Sequence, residues 1–363
     1  MNAHRPYNSF EYVGNLHVHS RYSDGAASVP EIARTAKQRH LDFVILNDHA
    51  HMTESLHLED EGIYDGVLVL MALEIGLRDH HYLAYGLPEM ASGTGLGPQQ
   101  VIDRVNDKGG FGFLAHPFEK GMPFHENSIA YTWNDLSVTG YTGICIWNFS
   151  SRWKERVKGP LHGLFCLLFK TQTLKGPSRK TLSFYDRQCR YRQVAAIGGS
   201  DAHGAEFRWG GFSFVPLSYH YALNSINVHL LLKTPLSGEF AAGKDQILKT
   251  LREGRLFIAH ENLKPAAGFR FFFRDKNGSY LSMGEEGLFR PGQLFVEAPA
   301  NGLIRLVKDG TLLRQGMGTR ASFRVEEAGV YRAEVHCRVP FFGLRPWIFS
   351  NPIYLRPSKT ITA

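Results

Sequence analysis

Short apolar runs, most of them meeting a histidine or an acidic residue at one end, recur along the first 200 residues and limit what this chain can become. The runs 13–19, 43–47, 67–73, 82–85, 111–115, 143–147 and 194–197 are brief and apolar, as buried parallel strands are. Helical signals lie between them. Ser28-Val29-Pro30-Glu31 is a capping box with proline in the first turn and opens a helix to about residue 39. A second helix is expected over 99–108, with Val101, Ile102 and Val105 on one face and Gly109-Gly110 as its stop. This alternation predicts a parallel α/β architecture. After residue 262 the pattern becomes all-β, with alternating runs at 269–274, 293–297, 303–308, 322–325 and 330–337 and a Lys308-Asp309-Gly310 turn. A chain of 363 residues accommodates two domains, and the change of pattern divides it into 1–262 and 263–363, the second a small β-sandwich.

The polar residues at the run ends carry the chemistry. His17 and His19 stand two apart, so on a strand both imidazoles project from one face, and Asp24 in the following turn can bring a carboxylate to the same point. The pattern repeats with Asn47-Asp48-His49, Glu74, His81, His116-Pro117 and Gly199-Ser200-Asp201-Ala202-His203. In a barrel of parallel strands such edges converge on one face. A purely structural role would have to be invoked separately for each.

These motifs, from His17-x-His19-x-x-x-Ser23-Asp24-Gly25 to Gly199-Ser200-Asp201-Ala202-His203, resemble the ordered motifs of the PHP (polymerase and histidinol phosphatase) family. The resemblance covers about residues 14–204. The remainder, including Thr250-Leu251-Arg252-Glu253-Gly254-Arg255 and residues 346–353, is similar to the CehA/McbA-like branch, in which a small β-domain follows the PHP domain. The resemblance implies a distorted (β/α)7 barrel holding two or three divalent ions, usually manganese, iron or zinc. Its carried-over ligands are His17, His19, Asp24, His49, Glu74, His81, His116, Asp201 and His203, with Glu74 and Asp201 as candidates for carboxylates shared between ions. His81 is preferred to His80 because of the Tyr-Leu-Ala-Tyr-Gly that follows it. Two positions depart from the pattern: Asn47 replaces the more usual Thr or Ser, and Cys145 replaces a glutamate, which removes the expected fourth acid.

The implied activity is metal-dependent hydrolysis, with a phosphoester as the leading substrate class and a water held between two ions as nucleophile. No protein nucleophile is expected, since there is no G-x-S-x-G elbow. His51 is a candidate general acid and Arg208 a candidate anion contact. A carbamate, ester or amide is the alternative substrate. A metal-stabilised binding protein is the reading of another class, and nine converging ligands argue against it.

The net charge of +7 conceals a strong asymmetry. Residues 1–151 hold 9 basic and 18 acidic residues, 152–192 hold 11 and 2, and 263–363 hold 15 and 8. The basic stretch 152–192 reads as an insertion or lid that attracts a small anionic substrate, with nucleic acid only as a possible substrate. Four scattered cysteines and no apolar leader predict a cytoplasmic protein. Residues 161–169 (LHGLFCLLF) are far short of the roughly 20 needed to span a bilayer, so no membrane partner is expected.

Overall fold

The computed structural model describes residues 9–123, 130–209 and 211–357. The elements run β1 (Phe10–Val18), α1 (Val29–Gln38), β2 (Phe43–His49), β3 (Gly62–Tyr64), β4 (Val67–Ile75), β5 (Tyr82–Tyr85), α2 (Pro98–Asp107), β6 (Phe111–Leu114) and β7 (Gly143–Asn148). Four helices follow, α3 (Phe149–Lys154), α4 (Pro160–Leu168), α5 (Lys170–Thr173) and α6 (Arg179–Tyr191), before β8 (Ala195–Gly199). Then come β9 (Phe207–Trp209), β10 (Phe212–Phe214), α7 (Tyr219–Ala222), β11 (Ile226–Leu232), α8 (Phe240–Arg252) and β12 (Leu256–His260). The last strands are β13 (Arg270–Asp275), β14 (Tyr280–Ser282), β15 (Glu286–Leu288), β16 (Gly292–Lys308), β17 (Thr311–Val325), β18 (Gly329–Val339), β19 (Gly343–Ser350) and β20 (Ile353–Arg356).

The two predicted helices form as their sequences require. In α1, Glu31 accepts from both Ser28 N–H and Ser28 Oγ, at 2.8 and 2.7 Å, while Val29, Ile32, Ala33 and Ala36 are buried. In α2 the buried face is Val101, Ile102 and Val105. Such an apolar stripe can be satisfied only against the sheet.

The first sheet differs from an all-parallel closed barrel in two ways. The ladders run β11, β1, β2, β4, β5, β6, β7, β8, and β5 is antiparallel to both β4 and β6. Only six residues separate Ile75 from Tyr82, too few for a parallel crossover, which takes a dozen or more. In addition, β8 does not form a ladder with β1. Among the described residues, the seam between them is a single parallel bridge, Val18–Ala202, and flanking bonds such as His19 N–H to the Ala202 carbonyl at 2.9 Å. A register irregularity between Asn15 and Val18, and positive φ at His17 and Asp201 (65° and 54°), interrupt regular pairing there.

The basic stretch is also placed differently from a lid. Its α6 belongs to the crossover between the parallel strands β7 and β8 and packs against the C-terminal strands, where buried Asp186 receives Arg332 Nε at 2.7 Å. Only its first part, through Trp153 and Lys154, lines the cleft described below.

Two apolar clusters fill the interior, and they share a wall. Along β12, Leu256 and Ile258 enter the first cluster, while Phe257 and Ala259 enter the second. Period-2 alternation thus gives each core one face of the same strand. The C-terminal strands are antiparallel except for β15 with β20, and a β12–β19 ladder makes them continuous with the first sheet. The expected Asp-Gly turn joins β16 to β17, with φ of 50° at Asp309 and 84° at Gly310. No helix among the described residues is long and apolar enough to cross a membrane.

Candidate metal centre

The parallel strands end at a common place. The end of β1 delivers His17 and His19, β2 delivers His49, β4 delivers Glu74, and the residues after β6 and β8 deliver His116, Asp201 and His203. His81 reaches the same place from the opposite direction, because β5 is reversed and its start lies beside the end of β4. Asp24 comes from the turn after β1. All nine side chains singled out from the sequence meet here.

Glu74, 1% exposed, is the centre of the arrangement. Its Oε2 lies 3.1 Å from His17 Nε2, 3.3 Å from His19 Nε2 and 3.3 Å from His49 Nδ1. Its Oε1 lies 2.8 Å from His81 Nδ1 and 3.4 Å from His116 Nε2. Asp201 Oδ1 sits 3.3 Å from His17 Nε2 and 3.4 Å from His19 Nε2. Asp24 faces His203 Nε2 at 3.3 Å, with His19 and His49 slightly farther away. The donors fall into three overlapping sets: His17, His19, Glu74 and Asp201; His19, Asp24, His49 and His203; and His49, Glu74 and His81. Within each set the ligand atoms lie within 4.8 Å of one another.

Both electrostatics and hydrogen bonding call for cations here. Despite burial, the imidazoles of His17, His81 and His49 hold Glu74 well below the usual carboxylate range. Burial opposes charging of His19, but the carboxylates of Asp201 and Glu74 push it up to about 10. His116 is pushed up to about 9 against the same penalty by Glu119 and Glu74. Burial drives His49 down to about 3. Protons on imidazoles thus supply the positive charge that buried carboxylates require. Yet both ring nitrogens of His17, Nε2 of His19, Nδ1 of His49, Nδ1 of His81 and Oε1 of Glu74 are buried without a hydrogen bond. His17 Nε2, His19 Nε2, His49 Nδ1 and His81 Nδ1 lie 2.8–3.3 Å from a Glu74 oxygen without hydrogen-bonding geometry. Mixed imidazole and carboxylate donors with this unmet capacity fit divalent transition metals.

Backbone strain collects at the same point. His17, His116 and Asp201 all have positive φ, 65°, 27° and 54°, a region that costs a non-glycine residue roughly 1–3 kcal/mol. Neighbours fix the side chains. Asn47 Oδ1 accepts from His17 N–H at 3.2 Å, Asn148 Nδ2 donates to Asp201 Oδ2 at 3.3 Å, and Asp48 accepts from Ser20 and Ser23 rather than facing the cluster. His80 packs against Trp133, so it is His81 that faces Glu74.

The centre opens into a cleft of about 560 Å³. His51 lines it, its ring 5.2 Å from that of His49. Arg208 does not. It stands exposed on β9 and pairs with Glu206 at 2.9 Å, because the β9–β10 pair turns it away from the cleft. The cations that do line the cleft are Arg78 and Lys154. Sequence reasoning also missed Glu119, a buried cleft residue 3.2 Å from His116 Nδ1 that accepts from Ser151 Oγ at 2.7 Å. Burial pushes the Cys145 thiol up to about 12 and keeps it inert. The signal was the spacing His116-Pro117-Phe118-Glu119, three residues apart.

Residues 15–132 match the family model of the PHP domain. Over that stretch the chain is similar to the PHP domain. Seven of the nine clustered side chains lie inside the match, and Asp201 and His203 lie beyond it. Over 63 residues the chain is 36% identical to the DNA polymerase III subunit alpha of Treponema pallidum, covering 17% of this chain and 5% of that one. Over 118 residues it is 26% identical to an uncharacterized protein of Methanocaldococcus jannaschii, covering 29% of this chain and 67% of the relative. This chain thus spans a small fraction of the polymerase subunit's length. A solved two-domain protein of Bacteroides vulgatus, described as containing a predicted PHP-like metal-dependent phosphoesterase, aligns over 94% of this chain and 95% of its own. That alignment has 15% identity and a TM-score of 0.45.

Proposed function

We propose that this chain is a metal-dependent phosphoesterase acting on a small anionic substrate, with a PHP catalytic region over residues 1–262 and a β-domain over 263–363. The observation that carries the reading is the division of Glu74 between two groups of imidazoles, which offers one carboxylate oxygen to each of two adjacent sites. His17, His19, Glu74 and Asp201 would hold one ion; Asp24, His49 and His203 would hold a neighbour; His81 and His116, on the other oxygen of Glu74, would complete a second or third site. Manganese, iron and zinc suit this donor set. Such ions supply a water made nucleophilic near neutral pH and stabilise charge on phosphoryl oxygens.

The chain's own residues do the rest. Lys154, close enough to Asp201 to act on its charge, and Arg78, which also lines the cleft, draw an anion into it. His51 stands at the mouth, where it can pass a proton to a departing alkoxide. The Tyr131 carbonyl, 2.9 Å from His116 Nδ1, and Glu119, 3.2 Å from the same nitrogen, orient His116 with its Nε2 toward Glu74. Met52, Leu77, Trp153 and Leu217 line the remaining wall and limit water around the substrate.

The test is a panel of phosphomonoesters, phosphodiesters and carboxyl esters with manganese-reconstituted protein, alongside metal analysis of wild type, His17→Ala and Asp201→Ala. Phosphoester turnover that phosphate inhibits and both substitutions abolish is expected. Absence of bound metal from the wild type, or turnover surviving both substitutions, overturns the proposal. Carboxyl ester turnover without phosphoester turnover redirects it to carbonyl substrates.

A further inference from the structure

The apolar run at 161–169, too short to span a bilayer, does not bury itself in the protein. In α4 the inward side is Gly163 and Cys166, yet the outward side is also apolar. Leu161 is 85% exposed and Leu168 70%, with Leu164 and Phe165 exposed between them and Phe169 just beyond. A helix that met only water would place charge there. The apolar surface continues onto the turn between β18 and β19. The Phe342 ring lies 5.4 Å from that of Phe169 and 6.3 Å from that of Phe165, and Phe341 beside it is fully exposed. Contiguous apolar patches on soluble proteins mark interaction sites.

Cations adjoin this surface. Arg345 stacks over Phe342 at 5.7 Å and donates through Nε to the Gln172 carbonyl. Exposed Lys158 precedes α4, and exposed Lys175 follows α5. Burial, and then the nearby charges of Arg156, Arg152, Lys158 and Arg345, hold the Lys175 ammonium below its ordinary value, which places these groups within electrostatic reach of one another. Glu155 is taken up by Arg152. The composition of the segment, 11 basic against 2 acidic residues over 152–192, has the same sign.

We propose that α4, Phe341 and Phe342 form a docking surface for an anionic lipid bilayer, the apolar side chains entering the headgroup boundary and Arg156, Lys158, Lys175 and Arg345 facing acidic headgroups. Exposed leucine and phenylalanine on a short helix with cations around them is the composition of an interfacial element. A second copy of the chain fits less well, because a two-fold contact through this face would oppose the cations of one copy with those of the other. A bilayer of negative charge neutralises them. The surface is tied to the cleft: Trp153, which lines the cleft, donates through Nε1 to the Cys166 carbonyl of α4 at 3.3 Å.

Flotation of the full chain with phosphatidylcholine vesicles, with and without phosphatidylserine and at low and high salt, tests the proposal. The chain is expected to float with the anionic vesicles at low salt, and to remain in the aqueous fraction with neutral vesicles or at high salt. A Leu161→Gln, Leu168→Gln double variant, at positions exposed enough to leave the fold intact, should lose about tenfold or more of this partitioning. Lys158→Glu with Lys175→Glu should weaken it through charge alone. Wild-type chain that stays aqueous with anionic vesicles overturns the proposal, as does undiminished flotation of both variants. A dimer in solution that the leucine variant dissociates assigns the face to a second copy instead.

Discussion

His81 Nδ1 lies 2.8 Å from Oε1 of Glu74, across the antiparallel pairing of β4 with β5. Were β5 parallel to its neighbours, its first residues would lie at the far end of the sheet. The six-residue link after Ile75 reverses the strand and so completes the cluster.

Glu74 therefore joins the two groups of imidazoles, and Glu74→Gln keeps its shape while removing its charge. Metal content should fall, and the reconstituted phosphoesterase rate should drop by at least about 100-fold, the scale for losing one preorganised charge-stabilising group. Elemental analysis and steady-state rates measure both, and an unchanged far-UV spectrum excludes unfolding.

Glu119 acts on the centre through His116, so its removal should weaken the site without abolishing it. Glu119→Gln is expected to lower metal affinity or activity about 10- to 100-fold, the range for groups that orient a metal-binding histidine. Titration of the metal-stripped protein gives the affinity. A loss as complete as that of Glu74→Gln would make Glu119 a ligand itself.

Lys154 and Arg208 should behave oppositely. Lys154→Ala, inside the cleft, is expected to raise KM about tenfold, the loss of one charged contact to an anion. Arg208, exposed and paired with Glu206, should tolerate alanine with little change in either kinetic constant. Steady-state kinetics on one phosphoester substrate compares them.

Stability should depend on pH through His229. It is buried on β11, with Nδ1 2.8 Å from Glu11 and Nε2 2.9 Å from Glu261. Although burial opposes it, these carboxylates raise its pKa. The folded state thus binds the extra proton more tightly, so this stabilisation is complete below the unfolded value of about 6.5 and is lost as pH rises through the raised folded value. Glu11, although burial opposes it, is lowered by His229 and Arg270, so its contribution is present above the ordinary carboxylate value and is lost in acid. Glu11→Ala should cost about 3 kcal/mol at neutral pH and flatten the alkaline decline, read by urea denaturation across pH. An alkaline decline equal to wild type would exclude His229 as its source.

The local features were legible in the sequence. The capping box of α1, the apolar face of α2 and the Asp-Gly turn between β16 and β17 follow from short-range rules, and they form as read. The candidate ligands could be named because their motifs resemble those of the PHP family, and most of them lie where a short apolar run begins or ends. Long-range relations were not legible. The pairing partners of a strand depend on how far its connections reach and on which faces must be buried, so β5 could be read as a strand but not as a reversed one. The irregular seam between β8 and β1, a single bridge with flanking hydrogen bonds, coincides with positive φ at His17 and Asp201, which residue type does not announce.

Which side chains are available for chemistry is legible residue by residue, because donor types and their spacing are local properties of the chain. Tertiary structure decided which of them meet. It turned Arg208 outward, brought Glu119 in behind His116 and drew part of the basic stretch against the C-terminal strands. It also placed β12 between two cores and left the outward face of α4 uncovered. The physical reason is common to all of these. Burial and charge pairing are properties of surroundings assembled from distant parts of the chain, and a side chain's role is fixed only when those surroundings exist.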